Sequence, residues 1–93
     1  MTAYVVVHTT LKNADKMQEY GAAAGPTVAA HGGKVVARGP SEVMFGENAH
    51  KAMVVIEFPD RDAARRWYAS PEYQAIIPTR IEAMDSVFIL GGE

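Results

Sequence analysis

Two segments of this chain, Ala3 to Thr9 and Ala52 to Phe58, are almost continuously apolar and rich in β-branched side chains. That is how a strand covered on both faces reads, so both are predicted as strands, the first of them central. Pro59 stops the second. Between them Met17, Tyr20, Ala24 and Val28 recur at helical spacing behind Asn13, a side chain suited to capping a first turn. Gly25-Pro26 lies inside that stripe and predicts a kink or short break, because proline removes a hydrogen bond and crowds the preceding turn. Gly32-Gly33 supplies a left-handed stop. Lys34 to Gly39 reads as a short strand, and Glu42 to Phe45 as its extension or as a small arm, bounded by turn signals at Gly39-Pro40 and Gly46-Glu47-Asn48.

After Pro59, Asp60 is placed to cap a helix to about Ala69, with Ala63, Ala64, Trp67 and Tyr68 inward and Arg61, Asp62, Arg65 and Arg66 outward. Ser70 with Pro71 then opens a further helical piece, since proline's missing donor would be unpaired at that position anyway. Tyr73, Ile76, Ile77, Ile81 and Met84 form its apolar face, and Pro78 is expected to bend it. Val87 to Leu90 is the last strand, before a Gly91-Gly92-Glu93 tail.

The order is βαββαβ, an α+β class with few compact solutions, and the one expected is the ferredoxin-like sandwich, a four-stranded antiparallel sheet in the order 4-1-3-2 with both helices on one face. Within it, strands one and three are expected side by side and running parallel. Tyr4, Val6, Met53 and Val55 alternate with helix-facing Ala3, Val5, Val7, Val54 and Ile56, which leaves an apolar sheet face uncovered. A symmetric homodimer that packs sheet against sheet, a dimeric α+β barrel, removes the exposure.

Composition narrows the function classes. Ninety-three residues make a single domain, and 48% hydrophobic residues make it a globular one. A net charge of -2 with scattered Lys and Arg marks no nucleic-acid surface. The absence of cysteine excludes disulfides, thiolate catalysis and thiolate metal sites. Met1-Thr2-Ala3-Tyr4 passes straight into a strand without the segments of an export signal, and no apolar run approaches the roughly 18 residues of a membrane helix. The expected setting is cytoplasmic, with no membrane partner.

Gly32-Gly33-Lys34 leading to Ala37-Arg38-Gly39, then Val54-Val55-Ile56-Glu57-Phe58-Pro59, Ala64, Trp67-Tyr68, Ser70-Pro71-Glu72-Tyr73-Gln74 and Arg80, resembles the domain-of-unknown-function family 1330 across nearly the whole chain. The second half is specific and the first helix generic. The resemblance implies a dimeric α+β barrel and no established activity, so it assigns no catalytic residue.

The residues themselves supply candidates. His8 and Glu57, near the C-terminal ends of strands one and three and on the face away from the helices, are positioned in a parallel pair to hydrogen-bond as an oriented general base; the plainer reading is a polar pair in the dimer interface. Arg38 and Arg80 carry planar forks suited to an anionic ligand or to structural ion pairs, Arg38 beside the permissive Gly39 and Arg80 in the more structural setting. Trp67, Tyr68 and Tyr73 form an aromatic stripe that serves as core or as a pocket wall, with Tyr68 the better wall residue. Tyr4 joins Arg38, Tyr68 and Arg80 as a candidate ligand contact, although the hydroxyls of Tyr4 and Tyr20 add little. His8, His31 and His50 are too far apart for metal spacing; His31 suits a helix C-terminus and His50 pairs with Glu47 in a loop. No phosphate loop, nucleophile elbow or dinucleotide fingerprint occurs, and no cofactor is implied. Three functions fit: a homodimer binding a small anionic or aromatic metabolite, a cofactor-free oxygenase or isomerase type enzyme using His8 with Glu57, and a module whose sheet face only dimerises. The enzyme reading rests on fold analogy.

Overall fold

The computed structural model describes residues 2–92. Its elements are β1 (Ala3–Leu11), α1 (Ala14–Ala30), β2 (Lys34–Pro40), β3 (Ala52–Phe58), α2 (Arg61–Ala69), α3 (Pro71–Gln74), α4 (Ile77–Ala83) and β4 (Met84–Gly92). The strands form one sheet in the order β2-β3-β1-β4, every neighbouring pair antiparallel, with the helices on one face. This is the ferredoxin-like arrangement the element order predicts. The central pair departs from expectation: β1 and β3 run antiparallel. The physical reason lies in the connections. The α1 crossover returns β2 in the direction of β1, and the short return from β2 into β3 reverses the chain once more.

Local signals set most element ends. Asn13 and Asp60 accept from the backbone N–H of Lys16 and Ala63, and Ser70 from that of Tyr73. Gly32, at φ +77°, takes the left-handed position that closes α1. Pro26 does not break α1, which runs unbroken from Ala14 to Ala30. Ala22 and Pro26 are both exposed, so the proline sits on the solvent side of the helix and not in its packed face. The second helical unit does divide, but at Ala75 and Ile76, and Pro78 sits in the first turn of α4 where it costs no hydrogen bond. Ile81, expected inside, is exposed, and Met84 begins β4 instead of ending a helix. Segment 41–51 is an irregular connection with no strand from Glu42 to Phe45. β4 takes up Gly91 and Gly92 of the expected tail; Met1 and Glu93 lie outside the described residues.

The core lies between the sheet and the helices. Val5 and Val7 of β1 and Ile56 and Phe58 of β3 cluster with Ala63, Ala64 and Trp67 of α2 and Tyr73 of α3. The opposite sheet face carries Tyr4, Val36, Val87 and Ile89, all exposed, around the half-buried Val6, Met53 and Val55. None of the described helices is long and apolar enough to cross a membrane.

Gly33 marks the tightest packing. A Cβ there would stand 2.6 Å from Cε1 of Phe58 and 2.8 Å from Cγ1 of Val28, both core side chains. Gly33→Ala is therefore expected to destabilise the fold by about 1 to 3 kcal/mol through overpacking, read as a lower urea midpoint with an unchanged m value.

Candidate functional site

The stripe of α1 that faces the sheet is made largely of small residues. Met17 and Tyr20 are followed by Gly21, Ala24 and Gly25 before Val28 closes the row. The helix therefore stands off from the sheet, and a cavity of about 190 Å³ remains between them. A Cβ added at Gly21 or Gly25 would meet nothing within 4 Å. Each glycine costs roughly 1 kcal/mol of helix stability relative to alanine, and no close packing requires it.

The inner wall is apolar and buried, formed by Val7, Ile56, Trp67 and Met84 with Tyr20 at one side. The exposed lining residues, Gly21 and Gly25 of α1 with Val35 and Arg38 of β2, mark the mouth. Arg38 reaches this face because a bulge between Val35 and Ala37 resets the register, bringing Arg38 opposite helix-facing Val54. It forms no ion pair among the described residues. A wider and more open groove of about 410 Å³ lies on the other side of Trp67, lined by Tyr68, Phe88 and Leu90. Trp67 and Phe88 border both spaces.

Polar groups converge behind the cavity. The hydroxyls of Tyr20 and Tyr73 are 2.7 Å apart. Nη1 of Arg80 donates to the hydroxyls of Tyr73 at 3.0 Å and Tyr68 at 3.1 Å, with its guanidinium carbon 4.6 Å from the centroid of the Phe88 ring. Nε1 of Trp67 donates to Oγ1 of Thr27 at 3.0 Å, and that hydroxyl donates to the carbonyl of Ala24 at 2.7 Å. Burial, reinforced by the neighbouring Tyr73 phenol, holds Tyr20 far above the ordinary value of 10.0. Burial also raises Tyr73, opposed by Tyr20 and Arg80 as donors to its ionised form. Both phenols are neutral at physiological pH.

The candidate residues separate into three places. His8 and Glu57 share the open sheet face, but the antiparallel register sets His8 opposite Met53 and Glu57 opposite Tyr4. They lie four residues apart along the strands, about 13 Å, and cannot hydrogen-bond. The pairing expected from parallel strands is thus corrected by strand direction. Glu57 meets Lys34 at 3.7 Å, and Nδ1 of His8 is buried without a partner. Tyr4 is on the same open face. Arg38 is at the cavity mouth. Tyr68 and Arg80 come together behind the cavity; Tyr68 is more exposed than its inward placement predicted, and Arg61 folds back so that Nη2 donates to the carbonyl of Leu90 at 3.4 Å. His31 donates from Nδ1 to the carbonyl of Thr27 at 3.0 Å, as suits a helix end, whereas His50 bonds Thr10 across 2.9 Å and not Glu47. Among the described residues no three His, Asp or Glu side chains converge as a metal site. Tyr20, Gly21 and Gly25 are functional candidates whose pattern in the sequence marks only a helix, whereas Tyr73 already reads there as core or pocket wall. The available signal was the pair of glycines four apart within a helix.

The family model described as Domain of unknown function (DUF1330) matches residues 2–92. No curated protein matches the sequence. Among solved structures, a protein of unknown function from Rhodopseudomonas palustris is similar with a TM-score of 0.81 at 22% identity, over 99% of this chain and 82% of that one. SnoaB, a cofactor-independent oxygenase from Streptomyces nogalater, is similar with a TM-score of 0.72 at 17% identity, over 99% and 92%. A dimeric ferredoxin-like protein of unknown function from Thermobifida fusca gives 0.67 at 17%, over 100% and 92%. At these identities the likeness is one of fold.

The raised phenols have a consequence for stability. The folded state holds the Tyr20 and Tyr73 protons more tightly than the unfolded chain does, so the stabilisation is complete below about pH 10 and is lost as pH rises above it. Urea unfolding followed from pH 8 to pH 11.5 is expected to be flat at first and then to fall by up to about 1.4 kcal/mol per pH unit for each phenol. The double variant Tyr20→Phe, Tyr73→Phe removes that share of the slope.

Proposed function

The chain thus belongs to the DUF1330 family, and from the geometry of its helix-side cavity we propose that it acts in the cytoplasm as a homodimer that binds a compact aromatic acid, one per subunit, without a cofactor. The observation that carries this is a partly open apolar space with an arginine at its mouth that forms no ion pair among the described residues. A cavity of about 150 Å³ lined by aliphatic and aromatic side chains takes up benzene. About 190 Å³ is therefore room for one substituted ring and too little for a polycycle. Arg38 supplies the charge, since a guanidinium fork matches a carboxylate at the rim while the ring is buried. The glycines of α1 give up helix propensity and keep the space open.

The homodimer follows from the other face. Tyr4, Val36, Val87 and Ile89 form an apolar surface with no cover in a single chain, and a two-fold pairing of sheets buries it. The Thermobifida fusca protein of the same fold is a dimer, which supports this assembly. His8 and Tyr4 then belong to the interface and not to the ligand. The reading is one of binding and makes no use of His8 with Glu57, which the register holds apart.

Two measurements test it. Calorimetric titration with benzoate is expected to give saturable binding that weakens about tenfold or more in Arg38→Ala, the worth of one charge-assisted hydrogen bond, and disappears in Gly21→Leu, which fills the space. Benzoate that binds Arg38→Ala and wild type alike would sink the rim assignment. In light scattering at micromolar concentration, wild type is expected at twice the mass of one chain and Ile89→Glu at the mass of one, folded by circular dichroism. A monomeric wild type would end the dimer reading.

A further inference from the structure

The hydroxyls behind the cavity obey a strict count of protons. A phenol has one O–H to donate, and a guanidinium can only donate. Arg80 donates to the oxygen of Tyr73, and Tyr73 is 0% exposed. The proton of Tyr73 must therefore find an acceptor inside the protein, and the one its hydroxyl meets is the oxygen of Tyr20, 2.7 Å away. Either direction leaves one phenol proton without an acceptor: Tyr20 donating to Tyr73 would leave it on Tyr73, which does not line this cavity, whereas Tyr73 donating to Tyr20 leaves it on Tyr20, which does. The chain of donation consequently runs from Arg80 to Tyr73 to Tyr20. It ends on a Tyr20 O–H that meets no acceptor among the described residues, on a residue 7% exposed that lines the cavity.

From this count we propose that Tyr20 is a ligand-binding residue whose hydroxyl donates to an acceptor oxygen on the buried part of the ligand, polarised through Tyr73 by the Arg80 charge. This deepens the cavity reading and rests on it. It narrows the ligand class to an aromatic molecule that carries a carbonyl or phenolic oxygen on its ring portion, apart from the acid group that meets Arg38. The direction of donation also sets the sign: the site favours an oxygen bearing negative charge, because each link passes the pull of a cation toward it. Tyr68, the other acceptor of Arg80, is exposed and can give its proton to water, so it does not enter the chain.

The test uses acetophenone and its carbon isostere α-methylstyrene, two uncharged single-ring probes of the same shape that differ in one acceptor oxygen. Wild type is expected to bind acetophenone about fivefold more tightly than α-methylstyrene, the worth of one neutral hydrogen bond. The infrared carbonyl stretch of bound acetophenone should move to lower frequency. In Tyr20→Phe the preference and the infrared shift both vanish while α-methylstyrene binds as before, which shows that the variant is folded and its cavity open. In Tyr73→Phe the Tyr20 proton is still present but no longer polarised, so the preference persists and the infrared shift shrinks. A preference unchanged in Tyr20→Phe overturns the proposal. A preference absent in wild type and present in Tyr73→Phe also overturns it, because the chain would then run from Tyr20 to Tyr73. Failure of both probes to bind wild type overturns the cavity reading itself, and this assignment with it.

Discussion

The indole of Trp67 carries most of the organisation on the helix side of the sheet. It is 1% exposed, packs with ring centroids 5.4 Å from Phe58 and 4.4 Å from Tyr73, and donates from Nε1 to Thr27 of α1. That single hydrogen bond ties α1 to α2, and the phenol pair of Tyr20 and Tyr73 ties α1 to α3. The first helix is thus held largely by other helices at the points where it carries polar groups. Its small residues face the sheet without closing on it. The cavity is what remains when a helix is positioned from the side.

A tryptophan used this way has two costs that the surroundings meet. A buried N–H without an acceptor would forfeit of the order of 1 to 3 kcal/mol, and Thr27 supplies the acceptor while giving its own proton to Ala24. The large ring also needs partners of matching size, and Phe58, Tyr73 and Phe88 provide them. The same aromatic group brings Arg80 into a setting without a carboxylate, where ring faces and phenol oxygens stabilise its charge. The polar network behind the cavity is therefore a consequence of aromatic packing, and Arg80, which can only donate, stands at its donor end.

The two faces of the sheet do different things because β-strand side chains alternate. On β1, Val5, Val7 and Thr9 belong to the core and the cavity, while Tyr4, Val6 and His8 belong to the open face. A residue's role here is decided by the parity of its position. His8 and Glu57 have the same parity, which is why they share a face, but parity says nothing about where along the strands they stand.

What the sequence determined by itself is the set of interactions that are local or periodic. Asn13, Asp60 and Ser70 announce helix starts, Gly32 announces a stop, and alternation on β1 and β3 separates core from open face, because each depends on bonds within a few residues or on the fixed repeat of a strand. The order of elements was enough to name the fold. Strand direction between β1 and β3 required following the whole path of the chain, and on it hung the fate of the His8 and Glu57 pair. Only the tertiary structure decided that Arg38 meets a cavity, through a bulge in an edge strand, and that Tyr20 and Tyr73, 53 positions apart, hydrogen-bond to each other. The stand-off of α1 from the sheet belongs to the same class. It arises from contacts between α1 and helices of the second half of the chain, distant from it in sequence, and empty space leaves no mark on a chain except the glycines that fail to fill it.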